Sequence, residues 1–244
     1  ELSASICKTD LTSDLVKEFP ELQGIMGGYF SAYQGFDKDI SLALTEQYLP
    51  VGLDSKVPRK PFSVVLSLTD KIDSLVGFFG INEKPTSSKD PFALRRTALG
   101  IIRIIIENKK DLKLSDLLNY SSNLYQDQKS VFTNKNLQEE LGNFLKERFR
   151  HYMKEKQIRF DIIDATCSSF SLNKLFSSFE KARSLNKIIN NQVGLDITSC
   201  YRRASNILDN EMKTNTLEIS NTTDPGIFKN DFEKNLFNKI NEIK

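Results

Sequence analysis

Apolar side chains recur three, four and seven residues apart along most of this chain, and strict alternation of apolar and polar residues never persists over six positions. The first spacing places side chains on one face of an α-helix, whereas a half-buried strand needs the second. Proline and glycine separate the periodic segments, as expected where helices end. We therefore predict an all-α fold, built from amphipathic helices joined by loops.

The predicted helices divide into two series. In the first half they cover residues 5–35 with a break at Pro20, 38–49, 62–79 and 90–107, followed by a shorter pattern over 114–124. In the second half they begin at Leu137, continue over 160–170, 172–190 and 196–212, and end with a helix capped by residues 222–225. The less regular segment 109–136 separates the two series, and we place a domain boundary there.

Three glycines in the first series, Gly24, Gly27 and Gly28, come three and four residues apart. On a helix this spacing makes a flat face that another backbone can approach closely. A phosphate-cradling loop needs a different glycine pattern with a preceding strand, and neither is present. We therefore expect these glycines to serve close helix packing.

The sequence Asp90-Pro91 predicts the start of a helix, with Asp90 as the N-cap and Pro91 as the first helical residue. That start places Arg95 and Arg96 in the second turn, with Arg103 seven residues further on a similar face. Arginine binds phosphate with a planar, permanently charged fork. Five residues of this helix are predicted to point inward: Leu94, Ala98, Ile101, Ile102 and Ile105.

Basic residues are also concentrated in a second segment, residues 143–159. The 244 residues carry a net charge of only +2, so any surface for an acidic polymer must be a local patch. Residues 143–159 carry six basic and two acidic side chains, a balance of +4. Lys146, Arg150 and Lys154 are four apart and form one helical stripe, and Arg148 is a further cation of this segment. Such a stripe suits an RNA backbone, although an ordinary solvated helix face remains the alternative.

A second candidate group is Arg202, Arg203 and Asn206, which lie on a predicted helix at positions i, i+1 and i+4. Asparagine can read base edges, and arginine can hold phosphate or stack on a base of a single-stranded loop. The alternative is an ion pair between one of the arginines and Asp209. Tyr152 and Phe160 could also stack on bases, but aromatic residues at helical spacing more often belong to the core.

No constellation for catalysis stands out, and we predict neither a catalytic residue nor a metal site. His151 is the single histidine, which leaves no Ser/His/Asp triad to propose. The cysteines Cys7, Cys167 and Cys200 are far apart without a CxxC pair, so we expect reduced thiols. No apolar run approaches the roughly 20 residues of a membrane span. The chain begins at Glu1 without an initiator Met, and we expect it to be a piece of a longer protein.

Four strings in order carry a family resemblance: Lys8–Leu11, Val16–Gly27 with its Phe19-Pro20-Glu21-Leu22 core, Asp70–Phe79 and Pro85–Arg96. Together they resemble the beta subunit of the bacterial, two-subunit (alpha2beta2-type) glycine–tRNA ligase. The match is dense over residues 5–107 and thinner to the end. In the second half it rests on Leu145, Arg148 and Tyr152, on 161–165, on 201–208 and on 232–237.

The resemblance implies two domains. Residues 1–120 would form part of an HD-like helical domain plus a connecting helix, and residues 127–244 a DALR-like helical anticodon-binding domain. HD-type phosphohydrolases bind metal through several His and Asp side chains. Here Gln47 stands where family members often have a histidine, and only Asp70 and Asp73 remain, so we expect no active metal site.

The resemblance further implies the function. We expect the chain to recognise tRNA(Gly) and position it for glycylation by the alpha subunit, where the whole cytoplasmic enzyme uses ATP with Mg²⁺. No cofactor, DNA or membrane is expected at this chain, which alone should have no ligase activity. The alternatives are a helical scaffold that docks a partner subunit and, less favoured, a metal-dependent phosphohydrolase. The residues expected to contact tRNA are Lys89, Arg95, Arg96, Arg103, Lys146, Arg148, Arg150, Lys154, Arg202, Arg203 and Asn206.

Overall fold

The helical periodicity is realised throughout the structure, a computed structural model that describes residues 1–52, 54–127, 132–189, 191–214 and 223–243. Every regular element in these ranges is an α-helix or a short 3₁₀ turn, and none is a strand, which confirms the all-α prediction. The α-helices are α1 (Leu2–Ile6), α2 (Asp14–Glu18), α3 (Ile25–Tyr33), α4 (Lys38–Glu46), α5 (Pro61–Gly80), α6 (Leu94–Glu107), α7 (Leu114–Asp127), α8 (Leu137–Glu155), α9 (Phe160–Ser168), α10 (Leu175–Ile188), α11 (Gln192–Thr214) and α12 (Asp231–Ile243).

The chain divides into two compact units, Glu1–Ile188 with α1 to α10, and Ile189–Lys244 with α11 and α12. This boundary follows α10 and differs from the segment between residues 120 and 127 where the sequence predicts a domain boundary. That prediction concerns the HD-like and DALR-like family domains, which the helix arrangement alone does not identify. The domain division and the two domain assignments therefore stay predictions.

Helix α6 is the centre of the first unit. The five residues predicted to face inward are all buried, and Ile104 and Ile106 are buried as well. The additional burial arises because α5, α8 and α10 all pack against α6, so more than one of its faces is covered. From α8, Leu141, Leu145 and Phe149 are fully buried, as their helical spacing predicts.

The start of α6 differs from the prediction. The helix begins at Leu94 instead of Pro91, and Ala93 before it adopts a left-handed backbone with φ 54°. Asp90 still satisfies the helix start, because its carboxylate accepts the backbone N–H of Leu94 at 2.8 Å and of Arg95 at 3.0 Å. The Asp-Pro signal therefore marks a turn that precedes the helix, and Arg95 lies in the first helical turn, one turn earlier than predicted.

The glycine face packs as the sequence predicts at Gly28. A Cβ there would lie 1.8 Å from Oγ1 of Thr45 and 2.8 Å from the carbonyl oxygen of Ser41, both on α4. Only a glycine lets α3 and α4 approach this closely. Gly24 has another role, since it precedes α3 with φ +81°, a conformation that favours glycine.

The second unit contains α11, which extends beyond the predicted segment 196–212 at both ends, and α12. The predicted cap of the last helix is placed differently. Asp224 accepts the N–H of Gly226 and caps only the 3₁₀ turn Pro225–Ile227, while α12 begins at Asp231. Thr222, part of that predicted cap, lies outside the described residues. No helix in the described ranges is long and apolar enough to cross a membrane.

Candidate functional site

A cavity of about 310 Å³ lies on the first unit between the first turns of α6 and the middle of α8. Four of the arginines singled out in the sequence line it, although they come from two predicted domains. No acidic side chain of the described residues lines it. The lining residues are Pro50, Gly52, Arg95, Arg96, Leu99, Gly100, Arg103, Arg148 and His151.

Arg103 lies at the inner side of this cavity, and its donors are already used within the chain. Its Nε donates to Oε1 of Glu107 at 2.8 Å, and its two terminal nitrogens donate to the carbonyl oxygens of Gly52 and Ser55. The residue is only 6% exposed. Arg103 therefore holds the loop after α4 against α6, and its contact with tRNA stays a prediction.

The two adjacent arginines of α6 have different environments. Arg95 is half-buried and donates from Nη2 to the carbonyl oxygen of Thr86, which fixes its direction. Arg96 is exposed, and among the described residues it forms no ion pair. Arg96 also lines a neighbouring cavity of about 210 Å³ that shares Pro50 with the first.

From α8, Arg148 and His151 face the same cavity because they are three residues apart on one helix. The guanidinium carbon of Arg148 lies 5.9 Å from the ring centroid of Phe144. Its Nε is buried and has no hydrogen-bond acceptor among the described residues. Nε2 of His151 lies 3.9 Å from Oε1 of Glu155, one turn further along α8.

The predicted stripe of α8 is present, but each of its cations has its own surroundings. Lys146 lines a different cavity of about 460 Å³, beside Asn143 and Asn173. Arg150 forms an ion pair with Asp164 of α9. Nζ of Lys154 lies 5.5 Å from the ring centroid of Phe160. Because Lys146 and Arg150 are each two residues from Arg148, they point to a different side of α8, and the stripe forms a cationic surface separate from the cavity.

Of the two aromatic residues considered for base stacking, Tyr152 is 3% exposed and belongs to the core, whereas Phe160 is 66% exposed. Burial, with a smaller contribution from Glu107, raises the pKa of Tyr152 to about 12. Lys89, between α5 and α6, is exposed. The structure thus leaves Phe160 as the accessible ring of the pair.

In the second unit, Arg202, Arg203 and Asn206 are exposed on α11. Among the described residues, neither arginine pairs with Asp209 or with another carboxylate within 4.0 Å. The ion-pair alternative is therefore absent from the described part of the chain, and these side chains present free donors.

The sequence missed two features of the cavity. His151 was considered only as a catalytic residue, and Arg148 was counted among the cations of residues 143–159 without a link to Arg96. The three-residue spacing of Arg148 and His151 is a usable signal for one shared face. The sequence gives no such signal for the packing of α8 against α6, because at least 45 residues separate the arginines of α6 from Arg148.

In the part of the chain expected to be HD-like, Gln47 and Asp70 are both engaged by neighbouring groups. Gln47 is buried, and its Nε2 donates to the carbonyl oxygen of Leu44 at 2.9 Å. Asp70 forms an ion pair with Lys8. Within the ranges that the structure describes, no three His, Cys, Asp or Glu side chains come together to hold a metal ion.

Chemically, the cavity between α6 and α8 collects cations without a nucleophile or an acid–base pair. Guanidinium groups with imidazole are donors for anions, above all for phosphate oxygens. The chemistry of this site is therefore that of binding and positioning an anion, without covalent catalysis.

Comparisons with known proteins agree with the resemblance in the sequence. Residues 1–168 match the family described as "Glycyl-tRNA synthetase beta subunit". The glycine–tRNA ligase beta subunit of Rickettsia canadensis is 42% identical over 242 residues, which is 99% of this chain and 34% of that protein. The beta subunit of Dinoroseobacter shibae is 35% identical over 259 residues, 96% of this chain and 36% of that protein. The chain thus spans about a third of the length of the curated relatives it matches, and it belongs to the glycyl-tRNA synthetase beta subunit family.

Proposed function

We propose that this chain is a tRNA-recognition part of a glycine–tRNA ligase, and that it positions tRNA(Gly) for glycylation at the alpha subunit. The observation that carries the proposal is the cluster of Arg95, Arg96, Arg103 and Arg148 around one cavity, which no carboxylate of the described residues lines. Phosphate contacts fix the register and orientation of a nucleic acid on a protein, which is the task of a positioning surface.

The stripe on α8 and the exposed group on α11 extend this proposal. Lys146, Arg150 and Lys154 would neutralise further backbone phosphates, while Arg202, Arg203 and Asn206 have the donor chemistry to read unpaired bases. Lys89 would add a phosphate contact before α6. The relatives are named as ligase beta subunits, which supports tRNA and an alpha subunit as partners.

Chemistry in the whole enzyme would take place elsewhere. We propose that ATP with Mg²⁺ is used at the alpha subunit, in the cytoplasm, and that this chain contributes no catalytic residue. The chain on its own should then lack glycine-dependent ATP–pyrophosphate exchange. Measurable exchange by the isolated chain would contradict this part of the proposal.

The decisive experiment uses the full-length beta chain together with the alpha subunit. Arg148→Gln and Arg202→Gln should each lower kcat/KM for tRNA at least tenfold in glycylation, about 1.4 kcal/mol. Glycine-dependent ATP–pyrophosphate exchange should stay unchanged, because activation of glycine needs no tRNA contact. Lys17→Gln, which removes an exposed charge on α2, is the matched control.

The two reactions separate the explanations. An equal loss in glycylation and in exchange would mean that the arginine is needed for binding of the alpha subunit or for the stability of the fold. That result would contradict a tRNA-positioning role. An unchanged glycylation rate in both variants would contradict it as well.

A scaffold that docks a partner subunit is the second candidate, and one observation favours it. The second unit exposes large apolar side chains, with Tyr201 75%, Ile207 63% and Phe232 86% exposed. Salt distinguishes the two functions. RNA affinity falls steeply with added salt, whereas apolar docking does not.

A further inference from the structure

We propose that the cavity between α6 and α8 is a subsite for a single phosphate group, held by Arg96 and Arg148 with His151 beside them. We assign that phosphate to one phosphodiester of the tRNA backbone, and this assignment rests on the proposed function. The subsite would set the register of the RNA on α6 and α8 without reading its sequence.

Positive charge around the cavity is only partly neutralised within the chain. Arg103 is neutralised in part by Glu107, and Arg95 is directed to the carbonyl oxygen of Thr86. Arg96 and Arg148 have no carboxylate within 4.0 Å in the part of the chain that the structure describes. Two guanidinium groups that share one cavity repel each other until an anion joins them.

Arg148 carries a buried donor that has no acceptor in the described part of the chain. Nε of Arg148 is buried without a hydrogen-bond partner among the described residues. A buried donor left unpaired costs free energy, and the cost is larger for a charged group. An anion in the cavity would offset part of that cost through its attraction to the guanidinium charge, which is delocalised over the whole group.

The walls of the cavity are held in place by contacts within the chain. Arg103 holds Gly52 in place through its carbonyl oxygen, and Phe144 supports the guanidinium of Arg148. Leu99 and Pro50 add apolar walls, which reduce the screening of charge inside the cavity. A binding site prepared in this way loses little entropy when an anion enters.

Size and surroundings favour a backbone phosphate over a whole nucleotide. The volume of about 310 Å³ is at the lower end of small-molecule sites, roughly 300–1,000 Å³. Lys154 is exposed and lies one helical turn after His151, so positive charge continues beyond the cavity. A phosphate polymer would use this charge, whereas a free anion would not. Free pyrophosphate carries the same phosphate oxygens and is therefore the competing source of the bound phosphate group.

The test measures binding of labelled tRNA(Gly) by fluorescence anisotropy at several salt concentrations. The chain is compared with Arg96→Gln, Arg148→Gln, Arg148→Lys and the control Lys17→Gln. Each Gln variant should weaken binding about five- to twentyfold and reduce the slope of log K against log salt by about 0.7–0.9, the value for one lost phosphate contact. Arg148→Lys should keep the slope but weaken binding, because lysine keeps the charge and loses the planar fork.

Binding and slope that match Lys17→Gln in both Gln variants would overturn the subsite. Thermal melting checks that each variant folds, and Arg96→Gln decides the question if Arg148→Gln does not fold, since Arg96 is exposed.

Calorimetric titration with pyrophosphate separates the two sources of phosphate. We expect the unmodified chain to bind pyrophosphate weakly. Arg148→Gln should abolish this binding and should also weaken the binding of tRNA. Loss of pyrophosphate binding with unchanged tRNA binding would assign the cavity to a free anion and overturn the tRNA assignment. If the unmodified chain bound pyrophosphate but no tRNA, the proposed function would fail while the phosphate site itself would stand.

Discussion

Nε of Arg103 donates to Oε1 of Glu107 at 2.8 Å within α6, and the same guanidinium reaches the carbonyl oxygens of Gly52 and Ser55. Replacing Arg103 by Gln removes the donor of both carbonyl oxygens. The partly buried Glu107 carboxylate also loses its closer cation and keeps Arg59, at 3.5 Å, as its remaining ion-pair partner among the described residues. We expect the free energy of unfolding in urea to fall by about 2–4 kcal/mol. Arg96→Gln, at an exposed position of the same helix, should change it by less than about 0.5 kcal/mol. Equal effects of the two changes would contradict the holding role of Arg103.

The ion pair between Arg150 and Asp164 competes with any anion that approaches α8. Asp164→Asn removes the competing carboxylate, so tRNA should bind about two- to fivefold more tightly, and the free energy of unfolding should fall by less than about 1 kcal/mol. Anisotropy titrations with tRNA measure the first effect and urea unfolding the second. Weaker tRNA binding by Asp164→Asn would contradict the assignment of Arg150 to the RNA surface.

The close approach of α3 to α4 depends on Gly28, where a Cβ would collide with Thr45. We expect Gly28→Ala to destabilise the chain by about 1–3 kcal/mol, measured by urea unfolding. Gly142 on α8 is the matched control, since a Cβ there meets no atom within 4 Å. Gly142→Ala should stabilise by about 0.5–1 kcal/mol, because alanine favours the helix. Stabilisation at both positions would contradict the packing described for Gly28.

The ammonium group of Lys71 is buried beside Tyr48 and Ser67, and burial is the main cause that lowers its pKa from 10.5 to about 8. Between pH 8 and 10.5 the unfolded chain holds a proton that the folded chain has lost, so this group makes stability rise with pH. We expect the free energy of unfolding, relative to Lys71→Met, to increase by about 1–2 kcal/mol from pH 8 to 9.5.

The comparison with Lys71→Met is needed for a specific reason. Burial raises the pKa values of the Cys7 and Cys167 thiols, and these contribute the opposite slope near the upper end of that range. Both chains share the thiols, so their effect cancels. Parallel stability curves for the two proteins would contradict the lowered pKa of Lys71.

The sequence predicted the helices well because their apolar spacing is local. The inward residues of α6 and the buried face of α8 were readable from periodicity alone. The start of α6 could not be predicted in this way. The turn at Asp90 needs a left-handed backbone at Ala93, and an alanine gives no sequence signal for that conformation.

The candidate site was predictable only in its parts. Arginines were recognised on both α6 and α8, yet nothing local indicates that Arg96 and Arg148 line one cavity while Arg103 is engaged by a loop. Tertiary packing of α6 against α8 creates that distinction, as it does for His151.

The most direct test of the account is the affinity of this chain for tRNA(Gly), for the same tRNA with a changed anticodon, and for an unrelated tRNA. We expect the tightest binding to intact tRNA(Gly), with a steep salt dependence for all three. Arg202→Ala should reduce the preference between the tRNAs, whereas Arg148→Gln should weaken all three alike. Absence of binding to every tRNA at low salt would contradict the central claim that the chain recognises tRNA.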